Sequence, residues 1–202
     1  MENVAKKLAK AGVYGFFLLM AFPAALLSGF GRWKGGYSFF ANLFAMAPGH
    51  PGDYLRIAYY KWTLAQWPLS STIQFGSFVA HRQVKVGSHV YVGSYCILGM
   101  AVIGDRTQIA SGVQILSGRH QHIRDDMGRI SGSARGSFRA VTIGADCWIG
   151  AGAIVMADIG AGSTIGAGSV VNRTIPAGSV AAGSPARVIK AAAEEAGSVS
   201  GS

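Results

Sequence analysis

Ile143-Gly144-Ala145-Asp146-Cys147-Trp148-Ile149-Gly150-Ala151-Gly152-Ala153-Ile154-Val155 advances in steps of six, with Ile143, Ile149 and Val155 recurring at one position and Gly following the first two. After one four-residue step the pattern resumes at Ile159-Gly160 and Ile165-Gly166, and it runs on to Val180 with mostly small residues between. A fixed internal period is a stronger signal than a single motif, because each repeat supplies one strand whose apolar side stays open until the next coil stacks on it. The stretch predicts a parallel β-helix.

The same spacing recurs upstream. Val86, Val92 and Leu98 lie six apart, each followed by Gly, and Val90, Cys96 and Val102 take a second position four residues after each. The frame then slips by one to Ile103-Gly104, Ile109-Ala110 and Ile115. An aliphatic residue points into the narrow interior, and a small neighbour lets the chain bend without filling occupied space. Two runs in one period, broken between Leu116 and Val141, imply one solenoid carrying one long loop.

Of the 29 glycines in 202 residues, eight fall in residues 1–71 and 21 in residues 72–202. The first third instead holds long apolar runs and seven Lys/Arg against Glu2 and Asp53, in a chain of net charge +9. We therefore expect an apolar, basic helical segment at 1–71, a β-helix at 72–190 with its loop at 117–140, and a disordered tail at 191–202. Residues 13–30 form 18 uncharged positions flanked by Lys6, Lys7 and Lys10 on one side and Arg32 and Lys34 on the other. A bilayer span needs about 20 apolar residues, and Pro23 interrupts this one, so a re-entrant or interfacial helix is as compatible as a straight span. Residues 54–69 mix Arg56 and Lys61 with Tyr59, Tyr60, Trp62 and Trp67, a composition expected at headgroup depth. Packing of these helices on the solenoid end, or into an oligomer interface, is the alternative; a cleaved secretory signal fits less well, since the apolar run exceeds the usual signal length. With only Cys96 and Cys147, both at interior positions, no disulfide framework is implied.

The loop concentrates charge and opens with Ser117-Gly118-Arg119-His120-Gln121-His122. Histidine titrates closest to neutrality and is the natural general base toward a hydroxyl. On spacing alone, such a residue reads first as a surface or loop-stapling group.

Ser117-Gly118-Arg119-His120, Cys147-Trp148-Ile149-Gly150-Ala151-Gly152, Ile165-Gly166-Ala167-Gly168-Ser169-Val170-Val171 and the closing Ala181-Ala182-Gly183-Ser184-Pro185-Ala186-Arg187-Val188-Ile189-Lys190 together resemble the hexapeptide-repeat acyltransferases over residues 72–190. That family includes galactoside, maltose and xenobiotic acetyltransferases and polysaccharide O-acetyltransferases. The resemblance implies a left-handed β-helix, an exception to the usual right-handed crossover, and a homotrimer with active sites between two β-helices. It implies acetyl-CoA (acyl-CoA) as co-substrate and no metal. His120 falls on the family's base, with His122 second. Ala151 and Ala167 match residues against the pantetheine arm. Asn172-Arg173 replaces a Thr-Lys pair at the adenosine-phosphate end, and Arg187 and Lys190 match cations that pair with CoA phosphates.

The loop also carries Arg124, Arg129, Arg135 and Arg139, which suit an anionic acceptor or a merely solvated segment. The expected function is acyl-CoA-dependent O-acyl transfer, acetyl by family default, to a saccharide acceptor. Apolar helices in place of a soluble cap favour a membrane-held polysaccharide precursor or lipid-linked sugar, at the cytoplasmic side of the inner membrane; a cytoplasmic protein is the alternative. A γ-carbonic-anhydrase-like metal enzyme would need three converging His, a spacing that His50, His81, His89, His120 and His122 do not show. A non-catalytic β-helix scaffold remains the non-enzyme reading. No basic face with interleaved aromatics in the coils points to nucleic acid.

Overall fold

The structure, a computed structural model, describes residues 4–117, 123–124, 127–131 and 139–191. Three helices, α1 (Val4–Leu27), α2 (Lys34–Ala45) and α3 (Gly49–Thr63), precede a stack of short strands. The strands form three faces. On the first, Lys85–Val86, Ala101–Ile103 and Val141–Ile143 pair in parallel, and bridges through Ile159 and Ile175 continue the ladder. The second runs from Thr72–Ile73 through Tyr91–Val92, Gln108–Ile109, Trp148–Ile149 and Thr164–Ile165 to Val180–Gly183. The third stacks Phe78–Val79, Ile97–Leu98, Gln114–Ile115, Ile154–Val155 and Val170–Val171. Three parallel faces joined by tight corners make a β-helix, and its hand is left.

Each side contributes two inward residues separated by one outward residue, the period-two rule of a strand. Val90 and Val92, Cys96 and Leu98, Thr107 and Ile109, Cys147 and Ile149, and Ala153 and Val155 are all buried. One expectation fails here. Val102 points outward, and Ala101 and Ile103 are the buried pair. The frame slip therefore falls between Leu98 and Ala101, where Gly99 and Met100 turn the corner one residue early. Both alternatives were aliphatic, so hydrophobicity alone left the register open.

Glycine after the inward aliphatic residue answers to the next coil rather than to its own φ. A Cβ on Gly150 would lie 2.5 Å from the Ala167 backbone nitrogen, closer than atoms tolerate. Small polar side chains tie the coils together from inside: Ser71 Oγ donates to Gly87 O at 2.7 Å, Ser77 Oγ to Gly93 O at 2.6 Å, and Thr107 Oγ1 to Gly144 O at 2.8 Å. Cys96 and Cys147 do the same work, their thiols reaching Ala110 O and Gly160 O. Burial pushes both thiols up in pKa, so neither is an activated nucleophile.

The helices cap the first coil through α3. Arg56 is fully buried; its guanidinium donates to Phe44 O (2.9 Å), Ala45 O (3.3 Å), Ala47 O (2.8 Å) and Ile73 O (3.0 Å), and it pairs with Asp53. One cation thus adds its donors to the carbonyls at the end of α2, where the helix dipole is negative, and ties them to the first strand. Tyr60 Oη accepts from Val79 N at 3.0 Å, and Tyr37 Oη donates to Val79 O at 2.8 Å. Burial pushes the Tyr59 pKa up to about 12. This overturns the headgroup-depth reading of residues 54–69: Arg56, Tyr59, Tyr60 and Trp67 are core. The mixture looked interfacial because a buried guanidinium with carbonyl partners has the same composition as an interfacial one with lipid partners.

Candidate active site

Two corner edges are lined by residues in the left-handed region. His89, Arg106, Asp146, Gly162 and Gly178 stack along the edge between the first and second faces, and Gly76, Tyr95, Gly112, Gly152 and Gly168 along the next. Non-glycine residues there cost strain unless held. Arg106 and Asp146 hold each other in adjacent coils by a bidentate pair, with Nε to Oδ1 at 2.7 Å and Nη2 to Oδ2 at 2.6 Å. That hydrogen bonding pulls the Asp146 pKa below its ordinary value.

The long loop leaves and re-enters at the third edge without disturbing the stack. Ile109 pairs with Ile149 and Ile115 with Val155 across it, so the insertion lies at a corner. Met100 anchors both ends: its N–H donates to Ser117 Oγ at 2.8 Å, and its carbonyl accepts from Val141 N at 3.0 Å. Asp158 holds the return, accepting from Thr142 N at 2.8 Å and pairing with Arg139 at 3.1 Å. Arg139, one of the four loop arginines that suit an anionic acceptor or a solvated segment, is thus engaged in fastening the loop base. Within the loop, Ile123–Arg124 and Ile130–Ser131 pair antiparallel. His120 and His122 lie outside the described residues.

Inter-coil hydrogen bonds place Ser117 level with His81 and Met100 above it and with Ala157 and Arg173 below. Asn172-Arg173 thus shares the edge from which the histidine-bearing loop springs. Ala151 and Ala167 sit together on the edge between the second and third faces, both exposed, as the lower end of a strip of small residues beginning at Ser94 and Ser111. Above that strip Phe75 and Tyr95 stack edge to face at 5.6 Å and close it. Arg187 and Lys190 lie on the final strand, Ala186–Lys190, which folds back antiparallel on the second face and pairs Arg187 with Ala182 and Lys190 with Val180. Ala151, Ala167 and Arg187 therefore lie toward one edge, and Arg173 and the loop base lie on another.

Sequence reading missed one feature of the loop edge. A groove of about 320 Å³ where α2 meets the first coil is lined by Lys34, Ser38, Phe78 and His81. Burial, and then the Lys34 charge, pull the His81 pKa down, so its imidazole is neutral near pH 7. Only the coil register could have signalled it, by placing His81 two coils from Ser117. Among the described residues no three His, Cys, Asp or Glu converge as a metal site.

Residues 140–173 match the family model described as the hexapeptide repeat of succinyl-transferase. Nodulation protein L of Rhizobium leguminosarum bv. viciae is 44% identical over 76 residues, 36% of this chain and 38% of that protein, so the match spans well under half of the relative's length. A maltose O-acetyltransferase from Clostridium difficile 630 superposes with a TM-score of 0.65 at 25% identity over 84% of this chain and 91% of that one. A hexapeptide-repeat acetyltransferase from Vibrio cholerae shares the fold at 22% identity, TM-score 0.58, over 84% and 92% of the two chains. Residues 140–173 thus carry the hexapeptide repeat, and the chain shares its left-handed β-helix fold with these acetyltransferases.

Proposed function

We propose that the protein is an acyl-CoA-dependent O-acyltransferase, with acetyl as the transferred group and a saccharide as acceptor. The observation that carries this reading is the likeness to the maltose O-acetyltransferase over 84% of this chain and 91% of that one. His120 removes the proton from the acceptor hydroxyl, with His122 as the second candidate. The oxygen attacks the thioester carbonyl, the C–S bond breaks, and the leaving CoA thiolate takes up that proton from the imidazolium. Backbone amides carry the transient oxyanion.

Acyl-CoA runs along the exposed strip at Ala151 and Ala167, where methyl groups leave room for the pantetheine arm, and its phosphates meet Arg187 and Lys190. Asn172 and Arg173 are assigned to the adenosine-phosphate end, yet they occupy the loop edge. Both edges serve one active site if the loop edge of one β-helix faces the small-residue edge of another. The separation supports a homotrimer, in which Arg173 reaches the CoA of a neighbouring copy.

Residues 6–27 of α1 reach a mean hydropathy of 1.6 with 17% of the apolar window buried. Such a helix supports residence at the cytoplasmic side of the inner membrane and an acceptor held there, such as a lipid-linked saccharide or polysaccharide precursor. CoA release from acetyl-CoA, measured in lipid against neutral and anionic glycan acceptors, tests the chemistry. We expect acceptor-dependent release that His120→Ala lowers by about 10²–10⁴-fold while CoA still binds. Absence of both turnover and CoA binding sinks the reading.

A further inference from the structure

A groove of about 410 Å³ lies between α1 and Leu69, at the start of the first coil. Lys7 and Lys10 line its end toward the N-terminus of α1, and Tyr14 and Leu18 line the rest. Lys7, Ala11, Tyr14 and Leu18 share one stripe of the helix by their spacing. Neither lysine has an acidic partner among the described residues. Leu8, Phe16, Leu19 and Leu27, on a different stripe of α1, are exposed. Two cations beside an apolar channel complement a ligand with an anionic head and a hydrocarbon chain, on a helix whose outer surface is itself apolar.

We infer that this groove holds one anionic phospholipid, its phosphate between Lys7 and Lys10 and its chain along Tyr14 and Leu18. The inference rests on the membrane reading above and is independent of the acyl-transfer chemistry. Gly15 gives the channel its width, since even a Cβ there would meet nothing within 4 Å. A larger residue there extends into the groove, starting from a Cβ that has open space around it.

Partition of the full-length chain onto vesicles of phosphatidylcholine alone, and of phosphatidylcholine with an equal part of phosphatidylglycerol, tests the site at matched ionic strength. A lysine near an anionic surface contributes about fivefold to partition, so the wild type should prefer the anionic vesicles by about 25-fold. Lys7→Ala with Lys10→Ala should abolish the preference. Gly15→Leu and Ala11→Leu should reduce it as well, although each adds apolar surface; circular dichroism checks that each variant is folded. Retention of the full preference by both groove-filling variants would show that diffuse charge, not the groove, binds the lipid, and would overturn the inference. Loss of the preference on adding excess inorganic phosphate would assign the site to a free anion and also overturn it. Equal binding to both vesicles removes the phosphate site alone, whereas no binding to either removes the membrane reading with it.

Discussion

Trp148 and Ile149 are neighbours in one strand, yet the first is 60% exposed and the second 0%, and the hexad position of each says so in advance. Helices α1 and α3 are both aromatic-rich runs carrying basic residues, and they too part company: α3 buries Arg56, Tyr59 and Tyr60, while α1 leaves Leu19 76% exposed. No periodic rule in the sequence separates the two helices. In the coils each residue repeats the environment of the one a turn earlier, so a local pattern carries tertiary information. In the cap each helix meets a different partner, and burial depends on which surface happens to be opposite.

The largest effect expected on this contrast comes from Arg56→Ala. It leaves Asp53 buried without its cation and removes the guanidinium that ties the end of α2 to the first strand, and should cost about 3–5 kcal/mol by denaturant unfolding. Lys61→Ala in the same helix should stay within about 0.5 kcal/mol. Equal effects would show that α3 is not the anchor. In the coils, Ile149→Ala should cost about 2–5 kcal/mol, whereas Trp148→Ala should change stability far less; parity between them would break the hexad rule. Leu19→Ser on α1 should leave thermal stability nearly unchanged and weaken vesicle partition by roughly tenfold, about 1.5–3 kcal/mol being available from a buried leucine. A lowered melting temperature would instead place that face against protein.

The smallest effect is the pH dependence of the Arg106–Asp146 pair. The folded-state pKa of Asp146 is depressed, so its contribution is present above the ordinary aspartate value near 3.8 and is lost as pH falls through the lower folded value. The melting-temperature difference between wild type and Asp146→Asn should shrink on acidification below about pH 4. A difference that grows there would reverse the assignment.

Much of the β-helix was readable because aliphatic residues six apart can share an interior only if coils stack. The reading failed at Val102, where Ala101, Val102 and Ile103 offered two apolar registers and the corner at Gly99-Met100 chose between them. It failed again at Arg56, since its carbonyl partners lie in two other segments, Phe44 and Ala47 at the end of α2 and Ile73 in the first strand. Of the candidate site, the sequence marks residue types such as His120, Ala151 and Arg187, but not that Arg173 and Ala151 lie on different edges. That division follows from coil lengths summed over the stack, where a slip of one residue changes which corner a side chain occupies.

By itself, then, the sequence determined the repeating coil, its inward aliphatic residues and the place of the loop, because a six-residue period is a local property that stacking only repeats. Tertiary structure alone decided which apolar helix is core and which is surface, which edge each proposed site residue shares, and that Lys34 meets His81. Those are contacts between segments distant in the chain, and their energy comes from shape and charge across an interface that no local pattern encodes.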